Sequence, residues 1–242
     1  MIIAAIRSLV TYIAVSIYVV FAASFGMLLE MIFRWKGILY ILGHGGVRLG
    51  LALAGIKVRI AGAEHIPLGR AAIYCANHQS NIDPPVLFTA LHPRMHIVYK
   101  AEINAIPLLA RAFQHGGFVP IDRRNKEAAM RSLEAGAASI RSGNSFLIFP
   151  EGTRSKTGDM LPFKKGGFLM ALKAQAPIVP VAVSGGRDSM KPGSKIIRPV
   201  TVSIRVGKPI ETAGMQVSER DTLIAQVRAR IEALLAEGPV GD

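Results

Sequence analysis

The chain has little cysteine, little acid and few aromatics. Cys75 is the single cysteine of 242 residues, so a disulfide-stapled scaffold is excluded. Only 16 residues are Asp or Glu against 29 Lys or Arg, which leaves a formal net charge of +13. No 20–50-residue repeat and no G-x-y period occurs, which excludes solenoids and collagen. Neither G-x-x-x-x-G-K-[ST] nor G-x-G-x-x-G is present, so nucleotide binding through those loops is unsupported. A G-x-S-x-G nucleophile elbow is missing too. Apolar residues, by contrast, are abundant. Half the chain is hydrophobic and the mean hydropathy is +0.36, which excludes disorder. A basic chain that is also greasy has an anionic partner: nucleic acid, a membrane surface or a phosphorylated small molecule.

The two properties are distributed unevenly. Residues 94–173 carry 13 basic and 6 acidic side chains, nearly all the charge excess of the chain after residue 60. Between Arg7 and Glu30 there is no charge at all. The stretch Ser8–Leu29, as a helix, is about 33 Å long at about 1.5 Å per residue, enough for a hydrocarbon core of about 30 Å. It predicts a transmembrane helix that anchors the chain, with Tyr12, Tyr18 and Trp35 as interfacial aromatics and a helix lying in the membrane surface as the alternative. Arg34 and Lys36 follow it while only Arg7 precedes it, which places the downstream domain on the cytoplasmic face of the inner or plasma membrane. A second apolar stretch, Ile38–Ile56, is interrupted by His44, Arg48 and glycines and reads as a re-entrant or interfacial helix. Residues 1–56 are thus a membrane-anchoring helical segment and 57–242 the globular part.

From residue 57 short β-branched runs alternate with helical ones. Lys57–Ala61, Ala71–Ala76, His96–Tyr99, Gly117–Ile121, Ser145–Phe149, Ile178–Val183 and Thr201–Val206 read as strands. Pro84–Leu91, Ile106–Gln114, Lys126–Arg141 and Lys164–Gln175 read as helices. This alternation predicts an α/β domain with a mixed, mostly parallel sheet flanked by helices. A last helix is predicted from Leu223, Ile224, Val227, Ile231, Leu234 and Leu235 on one face, started by a capping box of Ser218 with Asp221.

Three strands end in reactive residues, at the kind of junction where α/β sheets collect chemistry. Ala71–Ala76 runs into Asn77-His78-Gln79-Ser80-Asn81-Ile82-Asp83-Pro84-Pro85. Asp83 before Pro84 suits an N-cap, so one carboxylate oxygen is expected to cap the helix and the other to accept from His78. Such a carboxylate fixes the imidazole tautomer and leaves the other nitrogen as a general base. Taken alone, His-x4-Asp is weak evidence and is better read as an ordinary capped turn with an exposed histidine. The second junction, Gly117-Phe118-Val119-Pro120-Ile121-Asp122-Arg123-Arg124, ends in two cations. The third, Phe146-Leu147-Ile148-Phe149-Pro150-Glu151-Gly152-Thr153-Arg154-Ser155, leads to Lys164-Lys165-Gly166-Gly167 at a helix start. Arginine forks and helix N-termini both suit a phosphate monoester.

Taken in order, these blocks resemble the glycerolipid acyltransferases. Asn77-His78-x-Ser80-x-x-Asp83 is similar to their H-x4-D signature, Gly117–Arg123 to their second block, Phe149–Ser155 to their third and Val179-Pro180-Val181 to their fourth. Pro120 stands where the family often has an aromatic residue. The resemblance implies an acyltransferase of phospholipid biosynthesis, in which His78 deprotonates the free hydroxyl of 1-acylglycerol 3-phosphate and Asp83 orients His78. The acyl thioester donor, acyl-coenzyme A or acyl-carrier protein, is a substrate and no cofactor is implied. Arg123 and Arg154 are expected at the acceptor phosphate, Glu151, Gly152 and Thr153 at the acceptor pocket, and Lys100 at phosphate or oxyanion charge. A sister enzyme acting on another lysophospholipid is the alternative reading. A non-catalytic membrane-surface protein is the alternative of a different class. Metal binding is unsupported, because Pro93 breaks the His92/His96 spacing and no third ligand is evident. Nucleic acid is not expected, since no recognisable binding module accompanies the charge.

Overall fold

A computed structural model describes residues 2–35, 37–92, 95–122 and 125–241. Two helices come first, α1 (Ile2–Phe33) and α2 (Gly37–Ala54). Strand β1 (Ile56–Ala61) then leads into the alternating part: β2 (Ile73–Ala76), α3 (Asp83–Ala90), β3 (Met95–Lys100), α4 (Pro107–His115), β4 (Val119–Ile121) and α5 (Lys126–Arg141). The chain continues through β5 (Ser145–Ile148), α6 (Gly166–Ala174), β6 (Ile178–Ser184), the single turn α7 (Gly186–Ser189), β7 (Val200–Val206) and α8 (Arg220–Ala236).

All seven expected strands form, in one sheet of order β1-β7-β6-β2-β5-β3-β4. The pairs from β6 across to β4 are parallel, β7 is antiparallel to β6, and β1 is parallel to β7. Side chains alternate between two cores, as the period of two along a strand requires. Tyr74 and Ala76 of β2 and Val179, Val181 and Val183 of β6 join α2 and α3 on one face. Ile73 and Cys75 with Ile178 and Ala182 join α5, α6 and α8 on the other. Leu223, Val227 and Ile231 of α8 are fully buried there, each worth about 1.5–3 kcal/mol.

Most boundaries shift by a residue or two, and two of the differences have a physical cause. Residue Gly117 does not belong to β4; it turns the chain at φ +75°, and a Cβ there would strike the His96 ring. The box before α8 is made by Gln216 and Glu219, not by Ser218 and Asp221, because a 3-10 turn over Val217–Glu219 precedes the helix. Asp221 instead pairs with Arg220 and Lys165.

Helix α1 is turned inside out relative to a helix of a soluble domain. Its small and polar side, including Ser8, Thr11, Ala23 and Gly26, is buried, while Ile6, Leu9, Ile13, Ile17, Phe21 and Phe25 are exposed. Both α1 and α2 are long and apolar enough to cross a membrane. Yet α1 is fastened to the α/β body at both ends. Near its start the Ile197 N–H donates to Ser8 Oγ at 2.8 Å and the Tyr12 hydroxyl to the Lys195 carbonyl at 2.9 Å. Near its end Glu30 meets His115 of α4 at 3.0 Å. The helix therefore lies along the body rather than leading away from it. Tyr40 of α2 adds a third tie, donating to the Gly116 carbonyl and accepting from His96 Nε2, both at 2.8 Å.

Candidate active site

Strand β2 lies between β5 and β6, so the loops after these three strands converge. Asn77, buried at the end of β2, locks this end to β6. Its amide donates to the Val183 carbonyl and its oxygen accepts from the Val183 N–H. The chain then turns sharply and returns as α3.

That turn brings His78 and Asp83 together, with Nδ1 to Oδ2 at 3.0 Å. The same Oδ2 accepts the N–H groups of Gln79 and Ser80 at 2.7 Å each. An oxygen that takes two backbone donors is an acceptor, so Nδ1 carries the proton and Nε2 has the lone pair. The carboxylate is 1% exposed and the imidazole 15%. The His78 ring stacks on Phe149, centroids 4.1 Å apart. Asp83 does not cap α3 as its sequence context suggests. It is the first helical residue, and its carboxylate reaches back into the turn. Its Oδ1 is buried without a hydrogen-bond partner among the described residues, and a Cβ on Gly186 would come within 2.4 Å of it.

Glu151 takes a different place from the one expected. It is 2% exposed, and both oxygens are occupied by backbone: Oε1 accepts from His78 N–H at 2.8 Å and Oε2 from Leu161 N–H at 2.9 Å. The side chain staples the loop after β5 to the loop after β2 and does not line an open pocket. Burial raises its pKa, and the two amides offset only part of that rise. Between the same loops, the Ser155 N–H donates to the His78 carbonyl at 2.9 Å.

Gly152 turns the chain at φ +73°, and the Lys164 side chain lies across it, leaving no room for a Cβ without a shift. Thr153 is exposed and Arg154 half-buried beyond this turn. Arg154 Nη1 is buried and meets no acceptor among the described residues. A desolvated guanidinium nitrogen without an acceptor suits an anion, because a charge-assisted bond there is worth far more than in water. Lys100 ends β3, exposed, on the strand beside β5. Pairing of Lys100 with Ile121 brings the second block to this same end. Arg123 lies outside the described residues. Of the two lysines before α6, Lys165 is turned to Asp221 while Lys164 covers Gly152.

The buttresses of this site were not legible as functional residues. Arg187 of α7 donates to the carbonyls of Lys156 and Thr157, Gln79 to that of Gly158, and Arg228 of α8 to those of Met160 and Leu161. Arg187 and Arg228 come from remote parts of the chain that no local pattern marks, and Gln79 lies inside the His78–Asp83 turn at a position the motif leaves open. Among the described residues no group of three or more His, Cys, Asp or Glu is placed to hold a metal. His96 is turned to Tyr40, and burial lowers its pKa to about 4.

A cavity of about 450 Å³ opens beside the turn, between α1 and α2 on one side and α3 and α4 on the other. Its walls are almost wholly apolar, and Ile82, Pro84 and Pro85 bring it against Asp83.

Residues 57–184 match the family model described as Acyltransferase. The chain is similar to a 1-acyl-sn-glycerol-3-phosphate acyltransferase of Limnanthes douglasii, 31% identical over 89% of this chain and 78% of that protein. It is also similar to a protein of the same name from Cocos nucifera, 32% identical over 80% of this chain and 62% of the relative. The alpha form from Mus musculus is 30% identical over 76% and 66% respectively. In fold it matches the crystal structure of the 1-acyl-sn-glycerophosphate (LPA) acyltransferase PlsC from Thermotoga maritima, with a TM-score of 0.84 and 23% identity over 98% of this chain and 97% of the other.

Proposed function

The chain belongs to the acyltransferase family, and from that premise we propose that it transfers an acyl group from a thioester to the free hydroxyl of 1-acylglycerol 3-phosphate, giving phosphatidic acid. The observation that carries the reading is the His78–Asp83 pair, with its tautomer fixed and Nε2 left to act as base. Nε2 takes the hydroxyl proton as the oxygen attacks the thioester carbonyl. The tetrahedral intermediate then collapses, breaking the C–S bond, and the thiolate takes that proton from the imidazolium. Ester and thiol are the products, and His78 ends as it began. Asp83 keeps its charge throughout and stabilises the transient imidazolium. The acceptor supplies the nucleophile, so the protein needs none of its own.

Arg154 is the proposed phosphate ligand, with Lys164 over the neighbouring Gly152 and Lys100 and Arg123 assigned on sequence grounds. Glu151 is assigned instead to holding His78 and the phosphate loop in register. The apolar cavity takes an acyl chain, with its reacting end at the turn. Acyl-coenzyme A and acyl-carrier protein both suit the donor role, since both present an acyl thioester on an anionic carrier.

The exposed apolar side of α1, with both helix ends tied to the body, supports a helix pair seated sideways in one leaflet. Lysophosphatidic acid then reaches the site without leaving the membrane, and water is kept from the thioester.

The test is purified full-length protein in detergent with lysophosphatidic acid and either donor. His78→Ala and Asp83→Asn are expected to lose at least about 10²–10⁴ in kcat while remaining folded. Full activity in His78→Ala would rule out the mechanism.

A further inference from the structure

The segment between β6 and β7 links the catalytic turn to the start of α1. Gly186 lies against Asp83, and the Ser80 hydroxyl donates to the Met190 carbonyl at 2.8 Å. Farther on, the Lys195 carbonyl receives the Tyr12 hydroxyl, Ile197 bonds Ser8, and a Cβ added at Gly55 would meet both Pro199 and the Arg7 guanidinium. At 100° per residue Tyr12 and Arg7 fall on opposite sides of Ser8. Residues 195–199 therefore cross beneath α1 from one flank to the other.

This crossing carries charge. Lys191, Lys195 and Arg198 are exposed, and Lys57, also exposed, is beside Thr201 in the β1–β7 register. Arg7 makes a fifth cation. None of these five side chains has a hydrogen bond or ion pair among the described residues. Asp188 is the one acidic residue between 186 and 199. The exposed apolar row of Ile2, Ile3, Ile6, Leu9, Val10 and Ile13 runs past them on α1. Because β7 returns antiparallel to β6, the cluster sits at the end of the sheet where β2 delivers His78.

We propose that this cationic strip docks on the anionic headgroups of a bilayer and so holds the catalytic turn at the lipid surface. The proposal rests on the sideways membrane seating described above. An acidic carrier protein would also meet these five cations, but the apolar row flanked by them on both sides fits the boundary between headgroups and acyl chains. The strip is separate from Arg154 and Lys100, so it concerns the bilayer and not the acceptor phosphate.

The experiment is flotation of full-length protein with vesicles of neutral phosphatidylcholine alone or with one third phosphatidylglycerol. Each cation near an anionic leaflet is worth about fivefold in partitioning. K191Q/K195Q/R198Q is therefore expected to lose anionic preference on the order of 100-fold. Its binding to neutral vesicles and its activity in neutral detergent should match wild type. Raising salt from about 50 to 500 mM should remove the wild-type preference, as charge screening demands. A triple variant that keeps its anionic preference, or a preference that ignores salt, overturns the proposal. So does a variant impaired only with the acyl-carrier-protein donor, which would mark a protein-docking surface. Wild type that binds anionic but not neutral vesicles would count against the helix seating and leave the strip standing. Wild type that binds neither overturns both.

Discussion

Replacing Glu151 with Gln separates two roles that the sequence alone does not distinguish. In the structure its two oxygens accept one backbone N–H each, from His78 and from Leu161. Glutamine keeps one oxygen, so its NH2 must face the other N–H, donor against donor. That loses a hydrogen bond to a charged group, about 1.5–3 kcal/mol, and leaves a buried donor unpaired at about 1–3 kcal/mol more. Removing the buried charge returns part of this, since burial already raises the Glu151 pKa. The net loss is about 2–4 kcal/mol, or roughly 5–12 °C in Tm for a chain of this length. If the His78 side loosens, the base moves, and a displacement of about 1 Å costs about 10² in rate. The assay is thermal unfolding in detergent alongside kcat and the lysophosphatidic acid KM. Expected are a lower Tm and a lower kcat with a nearly unchanged KM. A raised acceptor KM with normal kcat and Tm would refute the staple and restore Glu151 to the acceptor pocket.

Arg154→Ala should raise the acceptor KM about 10- to 100-fold, the worth of one or two charged hydrogen bonds, with the donor KM little changed in steady-state assays. Gly186→Ala puts a methyl within 2.4 Å of Asp83 Oδ1, so kcat should fall while both KM values hold; a variant with normal kcat would show that the Asp83 turn yields freely. His96 is 6% exposed and its pKa is lowered to about 4. The unfolded chain therefore binds a proton near pH 6.5 that the folded chain refuses. This contribution is present above pH 6.5 and is lost as pH falls toward about 4, in total about 3 kcal/mol. Denaturation midpoints across that range, compared with His96→Gln, should show the slope disappear in the variant.

The strands were readable because β-branched and apolar runs between polar turns bury on both faces of a covered sheet, as β2 and β5 do over their whole length. The His78–Asp83 pairing was readable because a turn five residues long leaves those side chains few other partners. The direction in which Asp83 bonds was not. An Asp before Pro is locally an N-cap, but here two backbone amides and an imidazole from the preceding turn compete for the carboxylate and win. Glu151 misled for a related reason, since a carboxylate between a strand and an Arg gives no sign that both its oxygens are taken by distant amides.

Local chemistry thus determined the residue inventory: a base with its carboxylate, cations at strand ends, and an apolar stretch with no charge from Ser8 to Leu29. These depend on residue type and short spacing, which need no knowledge of where the chain returns. Only the tertiary structure decided how they work together. It brought β5 and β6 to either side of β2, turned Glu151 inward, left Arg154 Nη1 without an acceptor among the described residues, and laid α1 along the body with its bulky apolar side outward. Each of these depends on contacts between residues many tens of positions apart. Burial and pairing at such distances are set by packing of the whole sheet and not by any short window of sequence.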